Sequence, residues 1–369
     1  MSASQLEIQL IAIVVAVACA LPGVFLILRR LALLSDAISH AILLGIVMGF
    51  FLVQDLASPV LVLAATATGV LTVALVEVLS SSRLVKTDAA IGLVFPLLFS
   101  VGIILISRYA GGVHLDTDAV LLGELAFAPF NRLELFGVDI GPKSLWVMGG
   151  ILLLNLIFIL IFYKELKLAT FDAALAASLG FSPVLIHYAL MTLVSVTAVG
   201  AFDAVGSILV VAIMIAPPAT AYLLTDKLSR MLLLSAAIAA AAAVSGYWVA
   251  HALDTSIAGS IATMTGVLFL LAYLLAPGRG LIAGARRRLR QRWDFAQAML
   301  AIHLFTHESL PEAETECRVD HLQDHLRWEQ EFADRVVARA VRQEIVTQTG
   351  AMLNLTSEGR ELAKQRIMA

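Results

Sequence analysis

Nine apolar runs, each long enough to cross a bilayer, constrain this 369-residue chain more than any other feature. They fall near residues 7–28, 31–53, 58–81, 88–107, 144–163, 185–201, 205–224, 230–250 and 256–276. A membrane-spanning helix needs about 17–25 predominantly apolar residues, and each run meets that length. The chain is 60% hydrophobic and only 14% charged, against roughly 25% charged in a soluble domain. The expected fold is therefore an all-α polytopic membrane protein of about nine transmembrane helices, over residues 1–280. The N-terminal MSASQLEIQL lacks the basic n-region of a cleavable signal, so the first run is expected to be a retained span.

The connections carry an orientation. If the C-terminus is cytoplasmic, the short inner loops hold Arg29, Arg30, Arg83, Lys86, Lys164, Lys167, Lys227 and Arg230. The outer connections then hold Arg108, Arg132 and Lys143, all in one long segment where charge counts less. The positive-inside rule selects N-terminus out and C-terminus in. Pro22-Gly23, Pro96 and Pro217-Pro218 lie inside apolar runs, where missing donors kink or break helices. Such interruptions are expected in transporters, which tolerate irregular helices around a cavity.

Asp36 and His40 sit four residues apart inside LALLSDAISHAILLGIVMGFFLV, residues 31–53. An ionisable group in a bilayer costs roughly 2.5–3.5 kcal/mol on insertion scales. Positions i and i+4 share a helix face, so the carboxylate and imidazole can grip one ion. That ligand pair suits Mn²⁺, Zn²⁺ or Fe²⁺ and is poor for Cu⁺. From the residues alone, a buried hydrogen-bonded pair fastening two helices is the reading that comes first, with metal handling second.

The long outer connection, 108–143, holds an apolar patch with His114, Asp116, Asp118 and Glu124. These groups suit an outer mouth that collects cations or docks a partner, or else a re-entrant hairpin whose polar groups face water. Asp203 falls at a tight outer turn and suits an outer gate or a cap of the following helix. Glu77 reads as a residue snorkelling to headgroups and His187 as interfacial. The inner connection 164–184 reads as a short amphipathic helix stopped by Gly180 and Pro183, resting on lipid or receiving force from a nucleotidase. The chain carries no GxxxxGK[ST] and no Ser/His/Asp or HExxH arrangement, so it is not expected to be an enzyme; any ATP hydrolysis belongs to a separate subunit. Neither Cys19 nor Cys317 belongs to a CxxC motif.

These stretches resemble a known family, the permease subunits of bacterial ATP-binding-cassette importers for Mn, Zn and Fe. The resemblance rests on PGVFLILRRLALLSDAISHAILLGI (22–46), KTDAAIGLVFPLLFSVGIILIS (86–107), HLDTDAVLLGELAF (114–127), TFDAALAASLG (170–180) and AFDAVGSILVVAIMIAPPATAYLLT (201–225). It implies that Asp36 and His40 of the DxxSH motif bind the transported ion, Mn²⁺ first and Zn²⁺ or Fe²⁺ next, with no permanently bound cofactor. It also implies coupling to the ATPase through Phe171, Asp172, Ala176 and Gly180. The implied partners are cytoplasmic ATPase subunits, a second permease subunit, an extracytoplasmic metal-binding protein and the lipid of a bacterial inner membrane. The rival readings are a permease for a non-metal solute and a membrane-anchored metal sensor.

Beyond residue 280 the composition becomes that of a soluble domain. RRRLRQR (286–292) lies in an expected basic hinge, 281–292, which anionic lipid would attract. Residues 293–369 read as helices followed by two short strands around Gly350 and a Thr-capped helix. That order resembles the winged-helix domain of iron- and manganese-dependent repressors, and implies a small cytoplasmic α+β domain. The segment carries 8 Lys and Arg against 13 Asp and Glu, so no nucleic acid is expected. Four of the chain's eight histidines lie here as two i, i+4 pairs, His303 with His307 and His321 with His325. With Cys317 nearby they suit either a cytoplasmic metal sensor or two solvated helix faces.

Overall fold

The computed structural model describes residues 3–55, 58–82, 84–109, 125–135 and 138–368. It divides into two compact units, 1–280 and 281–369.

In the first unit the helices are α1 (Ala3–Leu28), α2 (Ala32–Val53), α3 (Pro59–Ser81) and α4 (Thr87–Tyr109). A two-stranded hairpin follows, β1 (Arg132–Leu135) and β2 (Val138–Pro142), paired antiparallel. Then come α5 (Lys143–Ile161), α6 (Tyr163–Phe171), α7 (Ala173–Ser178), α8 (Pro183–Val205), α9 (Ser207–Leu224), α10 (Leu228–Leu253) and α11 (Ile257–Leu275). Nine of these helices, among the described residues, are long and apolar enough to cross a membrane, and they coincide with the nine runs.

Helix α1 is the centre of the bundle and packs against α5, α8, α9 and α10. Val15, Ala16, Cys19, Ala20 and Phe25 are fully buried on it. Asn155 of α5 fastens to this core: its amide donates to the Ala18 carbonyl at 2.9 Å and to the Thr197 hydroxyl at 3.0 Å. A buried amide with both contacts satisfied adds orientation to an interface of otherwise slippery alkyl surfaces.

The helices run on through their prolines: α1 continues past Pro22, α4 past Pro96 and α9 past Pro217 and Pro218. One proline deletes one ladder donor, and tight packing by neighbours holds the rest of the helix together. That packing is visible at Gly23, where an added Cβ would fall 2.1 Å from the Met214 carbonyl oxygen of α9. Gly23→Ala is therefore expected to force α1 and α9 apart and cost about 1–3 kcal/mol. Thermal unfolding of the detergent-solubilised chain checks this; an unchanged midpoint would show that the crossing relaxes without cost.

Between α5 and α8 the expected single helix is two. Asp172 separates them in extended conformation, and its carboxylate accepts from the Leu175 backbone N–H at 2.9 Å. An Asp at an N-cap starts a new helix rather than continuing an old one, which is why the segment bends there. Gly180 then ends the segment with φ 88°, a conformation open to glycine at little cost.

The second unit comprises α12 (Leu281–His307), α13 (Ala313–Glu316), a 3₁₀ turn at Val319–His321, α14 (Leu322–Leu326), α15 (Gln330–Arg342), β3 (Val346–Thr349), β4 (Met352–Leu355) and α16 (Ser357–Met368). The Arg-rich stretch expected as a hinge forms part of α12, as befits a run of good helix formers. Leu300, Leu304, Leu322, Val336, Val337, Val346 and Leu353 form its core. The strands pair around Gly350, and the Thr356 hydroxyl accepts from the Gly359 N–H at 3.0 Å to cap α16.

Candidate functional site

The residues of α2 divide cleanly by face. Ser35, Ala37, Ile38, Ser39 and Ala41 are buried against the bundle. Leu33, Asp36, His40, Leu44 and Met48, spaced three or four apart, form the opposite stripe, with Leu33 and Met48 half exposed. The two ionisable groups of this span therefore point away from the chain's own core, with 37% of the Asp36 side chain and 26% of His40 exposed.

His40 Nε2 lies 3.3 Å from Asp36 Oδ1. Two ligand atoms about 2.1–2.2 Å from one cation are separated by that distance when they subtend about 100° at the ion, a bite between octahedral and tetrahedral angles. The pair thus presents a ready two-point grip. Phe95 and Phe99 of α4, one turn apart, hold the imidazole, stacked at 5.8 Å and edge-on at 5.6 Å between ring centroids. The serine of the DxxSH motif lies on the buried face of α2, away from the Asp36–His40 stripe. Ser39 Oγ donates to the Ser35 carbonyl at 2.9 Å, and Ser35 Oγ to the Ala32 carbonyl at 2.8 Å. Both hydroxyls are spent on their own helix, a common use of serine inside a span. At 1.5 Å per residue, Asp36 lies about 6 Å and His40 about 12 Å from the start of α2.

A second polar constellation, missed by the sequence reading, joins the turn before α2 to α3, α6 and α8. Arg29 Nε donates to the Thr170 hydroxyl at 3.1 Å, and Arg29 Nη1 lies 3.2 Å from His187 Nδ1. A guanidinium only donates, so Nδ1 of His187 is the accepting nitrogen and the ring proton sits on Nε2. That Nε2 lies 2.8 Å from Glu77 Oε1, while the Tyr188 hydroxyl donates to Glu77 Oε2 at 2.5 Å. Glu77 is therefore held by the Tyr188 hydroxyl rather than merely snorkelling, and His187 lies between an arginine and that carboxylate. Thr170 belongs to α6, so this chain of contacts runs from the 163–178 segment to the turn that leads into the Asp36 helix.

Of the other expected residues, Phe171, Asp172 and Gly180 are exposed and Ala176 is buried. Asp203 is exposed in the last turn of α8; the next helix starts from Gly206 with no side-chain cap, so Asp203 does not cap it. His114, Asp116, Asp118 and Glu124 lie outside the described residues. In the second unit, His303, His307 and His325 converge, as do Glu316, His321 and His325. Burial, ahead of all other influences, pushes His303 below the usual imidazole range. Cys317 belongs to neither group; it is buried in the apolar core of that unit, and burial pushes its thiol up. Adjacent positions in a tight turn face different ways, which is why proximity in sequence to Glu316 did not bring Cys317 to the histidines.

Residues 5–276 match the family model described as the ABC 3 transport family. Over 362 residues the chain is 50% identical to the zinc transport system membrane protein TroD of Treponema pallidum, covering 98% of each chain. It is 48% identical over 284 residues to the manganese transport system membrane protein MntD of Bacillus subtilis, covering 77% of this chain and 96% of that one. Among solved structures, PsaBC from Streptococcus pneumoniae in complex with Fab aligns with a TM-score of 0.63 at 30% identity, over 76% of this chain and 94% of the matched chain. The TroD alignment extends through the second unit, so that extension is shared with at least one relative. Nine spans, a polar DxxSH pair on the open face of the second and these alignments together carry the assignment: the chain belongs to the ABC 3 transport family.

Proposed function

We propose that this chain is the permease subunit of an ATP-driven importer of divalent metal ions, with Mn²⁺ the first substrate and Zn²⁺ and Fe²⁺ next. The observation that carries the reading is the Asp36–His40 pair, 3.3 Å apart on the face of α2 that the chain covers only in part. A carboxylate turned toward lipid would be costly, so this face belongs against a pathway and a second permease subunit. Two ligands per chain are also too few for a divalent ion, which takes four to eight. Pairing two such faces doubles the ligand set while leaving it open enough to release the ion. The relatives named for zinc and for manganese support this substrate class.

In this reading the N-terminus is outside, the second unit is cytoplasmic, and the membrane is the bacterial inner membrane. An extracytoplasmic binding protein delivers the ion to the outer mouth, where His114, Asp116, Asp118, Glu124 and Asp203 are placed by sequence. A separate cytoplasmic ATPase pair engages Phe171, Asp172, Ala176 and Gly180. Exposure of Phe171 and Asp172 on a bent helical segment supports that contact. The second unit is read as a winged-helix-like domain, and its excess of acidic residues argues for a role other than contacting phosphates.

Elemental analysis of cells that make the whole transporter under limiting metal tests the substrate. The expected result is uptake of manganese above that of cells lacking the transporter, with zinc and iron weaker. Equal contents of all three elements in both cell types, with the assembled protein present, would overturn the importer reading.

A further inference from the structure

The second unit brings four histidines and a glutamate together, apart from the Asp36–His40 pair. His303 and His307 come from the end of α12, Glu316 from the end of α13, His321 from the 3₁₀ turn and His325 from α14. Ring centroids of His303 and His307 are 4.7 Å apart; His325 lies 5.7 Å from the first and 5.9 Å from the second. One ligand-capable atom from each of these three residues lies within 4.8 Å of the others.

Hydrogen bonding decides which nitrogen of His303 is free. His303 Nε2 lies 3.1 Å from the Glu316 carbonyl oxygen, which only accepts, so the ring proton is on Nε2 and Nδ1 carries the lone pair. His325 Nε2 lies 3.2 Å from Glu316 Oε2, close to that carboxylate but without the geometry of a hydrogen bond. A metal-ligating histidine characteristically gives its other ring N–H to a carbonyl or carboxylate, which fixes the tautomer and aims the ring. Here the Glu316 carbonyl gives that support to His303, and its carboxylate lies beside His325. His321 Nδ1 sits 3.6 Å from the same carboxylate oxygen. His307 Nδ1 is buried and makes no hydrogen bond among the described residues, an uncompensated group of the kind a ligand satisfies. His303 is buried and His325 exposed, so one side of the cluster opens to solvent as an entry path.

We propose that His303, His307 and His325 bind one zinc-class divalent ion (Zn²⁺, Co²⁺ or Ni²⁺), with Glu316 and His321 as the outer residues that orient them. Three imidazoles favour ions of that class over Mn²⁺, Mg²⁺ or Ca²⁺, which prefer oxygen. The site is therefore tuned to a different ion class from a Mn²⁺ pathway. An ion held there ties the end of α12 to the 313–326 segment. The inference stands on this cluster alone and does not depend on the import reading.

The test uses the full chain in detergent with Asp36→Ala and His40→Ala introduced, so that the membrane pair does not contribute. Titration with Co²⁺, read by its visible ligand-field bands and by bound metal per chain, is expected to show one bound ion displaced by Zn²⁺ but not by equimolar Mn²⁺. Adding His307→Ala and His325→Ala is expected to abolish the bands. Adding Glu316→Gln instead is expected to keep the stoichiometry and weaken binding about 10–100-fold, the usual scale for an orienting partner. Hydrogen exchange over 303–326 is expected to slow on Zn²⁺ addition in the parent and not in the double-histidine variant. Stoichiometry unchanged by the histidine substitutions, or no bound Co²⁺ in the parent while its second unit shows native exchange protection, would overturn the site.

Discussion

Asp36→Ala is expected to lower metal accumulation under limiting supply by about 100-fold, with the protein still made and inserted. Even residues that only orient a ligand are worth 10–100-fold in metal affinity, so removing the charged member of the proposed ligand pair should cost at least that. The carboxylate is also the only anion on the open stripe of α2; without it His40 is left with Phe95 and Phe99 and no charge to attract a dication. Asp36→Asn is the sharper variant, because it keeps the volume and an acceptor oxygen while deleting the charge. It is expected to fall between wild type and Ala, nearer to Ala. Ser39→Ala is the control: its hydroxyl serves the Ser35 carbonyl, so import is expected to stay within about twofold while the helix loses a minor contact. Accumulation in Asp36→Ala equal to wild type would remove Asp36 from the pathway. Loss in Ser39→Ala as deep as in Asp36→Ala would show that the motif acts through helix packing instead.

How much of this fold and site is legible in the amino-acid sequence follows physical range. A bilayer span is written in about twenty consecutive residues, and each run from 7–28 to 256–276 corresponds to a helix whose ends differ by only a few positions. Asp36 and His40 are legible because four residues of helix put them on one face, and because ionisable groups stand out in an apolar run. The two histidine pairs of the second unit are visible for the same reason. Their meeting is not, since it depends on how α14 folds back on α12. The Arg29–His187–Glu77 chain is invisible in the sequence: Arg29 and His187 lie 158 residues apart and Tyr188 and Glu77 lie 111 apart, and each alone has an ordinary explanation at a membrane edge. Only the break at Asp172 carries a local signal that the pattern of the whole segment hides. An acidic residue followed by AALAAS is a helix start, so the amphipathic stretch that reads as one helix becomes two at the cap.

That long-range chain of contacts carries the other large effect. Arg29→Ala is expected to cut import about tenfold while the assembled complex continues to hydrolyse ATP. The guanidinium holds Thr170 on one side and His187 on the other, and a hydrogen bond to a charged group contributes about 1.5–3 kcal/mol. Without it the α6–α7 segment, where the ATPase is proposed to push, loses its direct side-chain link to the turn that begins the Asp36 helix. Glu77 keeps Tyr188 but loses the arginine that fixes the His187 tautomer. Arg29→Lys is expected to recover only part of the activity, since one ammonium does not reproduce the planar fork that reaches two partners. Thr170→Val removes one contact and is expected to cost about two- to threefold. If the two residues act as one strut, the double variant Arg29→Ala/Thr170→Val should be no worse than Arg29→Ala alone, a coupling that independent sites do not show. Import and ATP turnover that fall in proportion in Arg29→Ala, with full additivity in the double variant, would mean that Arg29 only stabilises the bundle. Hydrolysis that persists without import would locate the strut between the motor contact and the ion site.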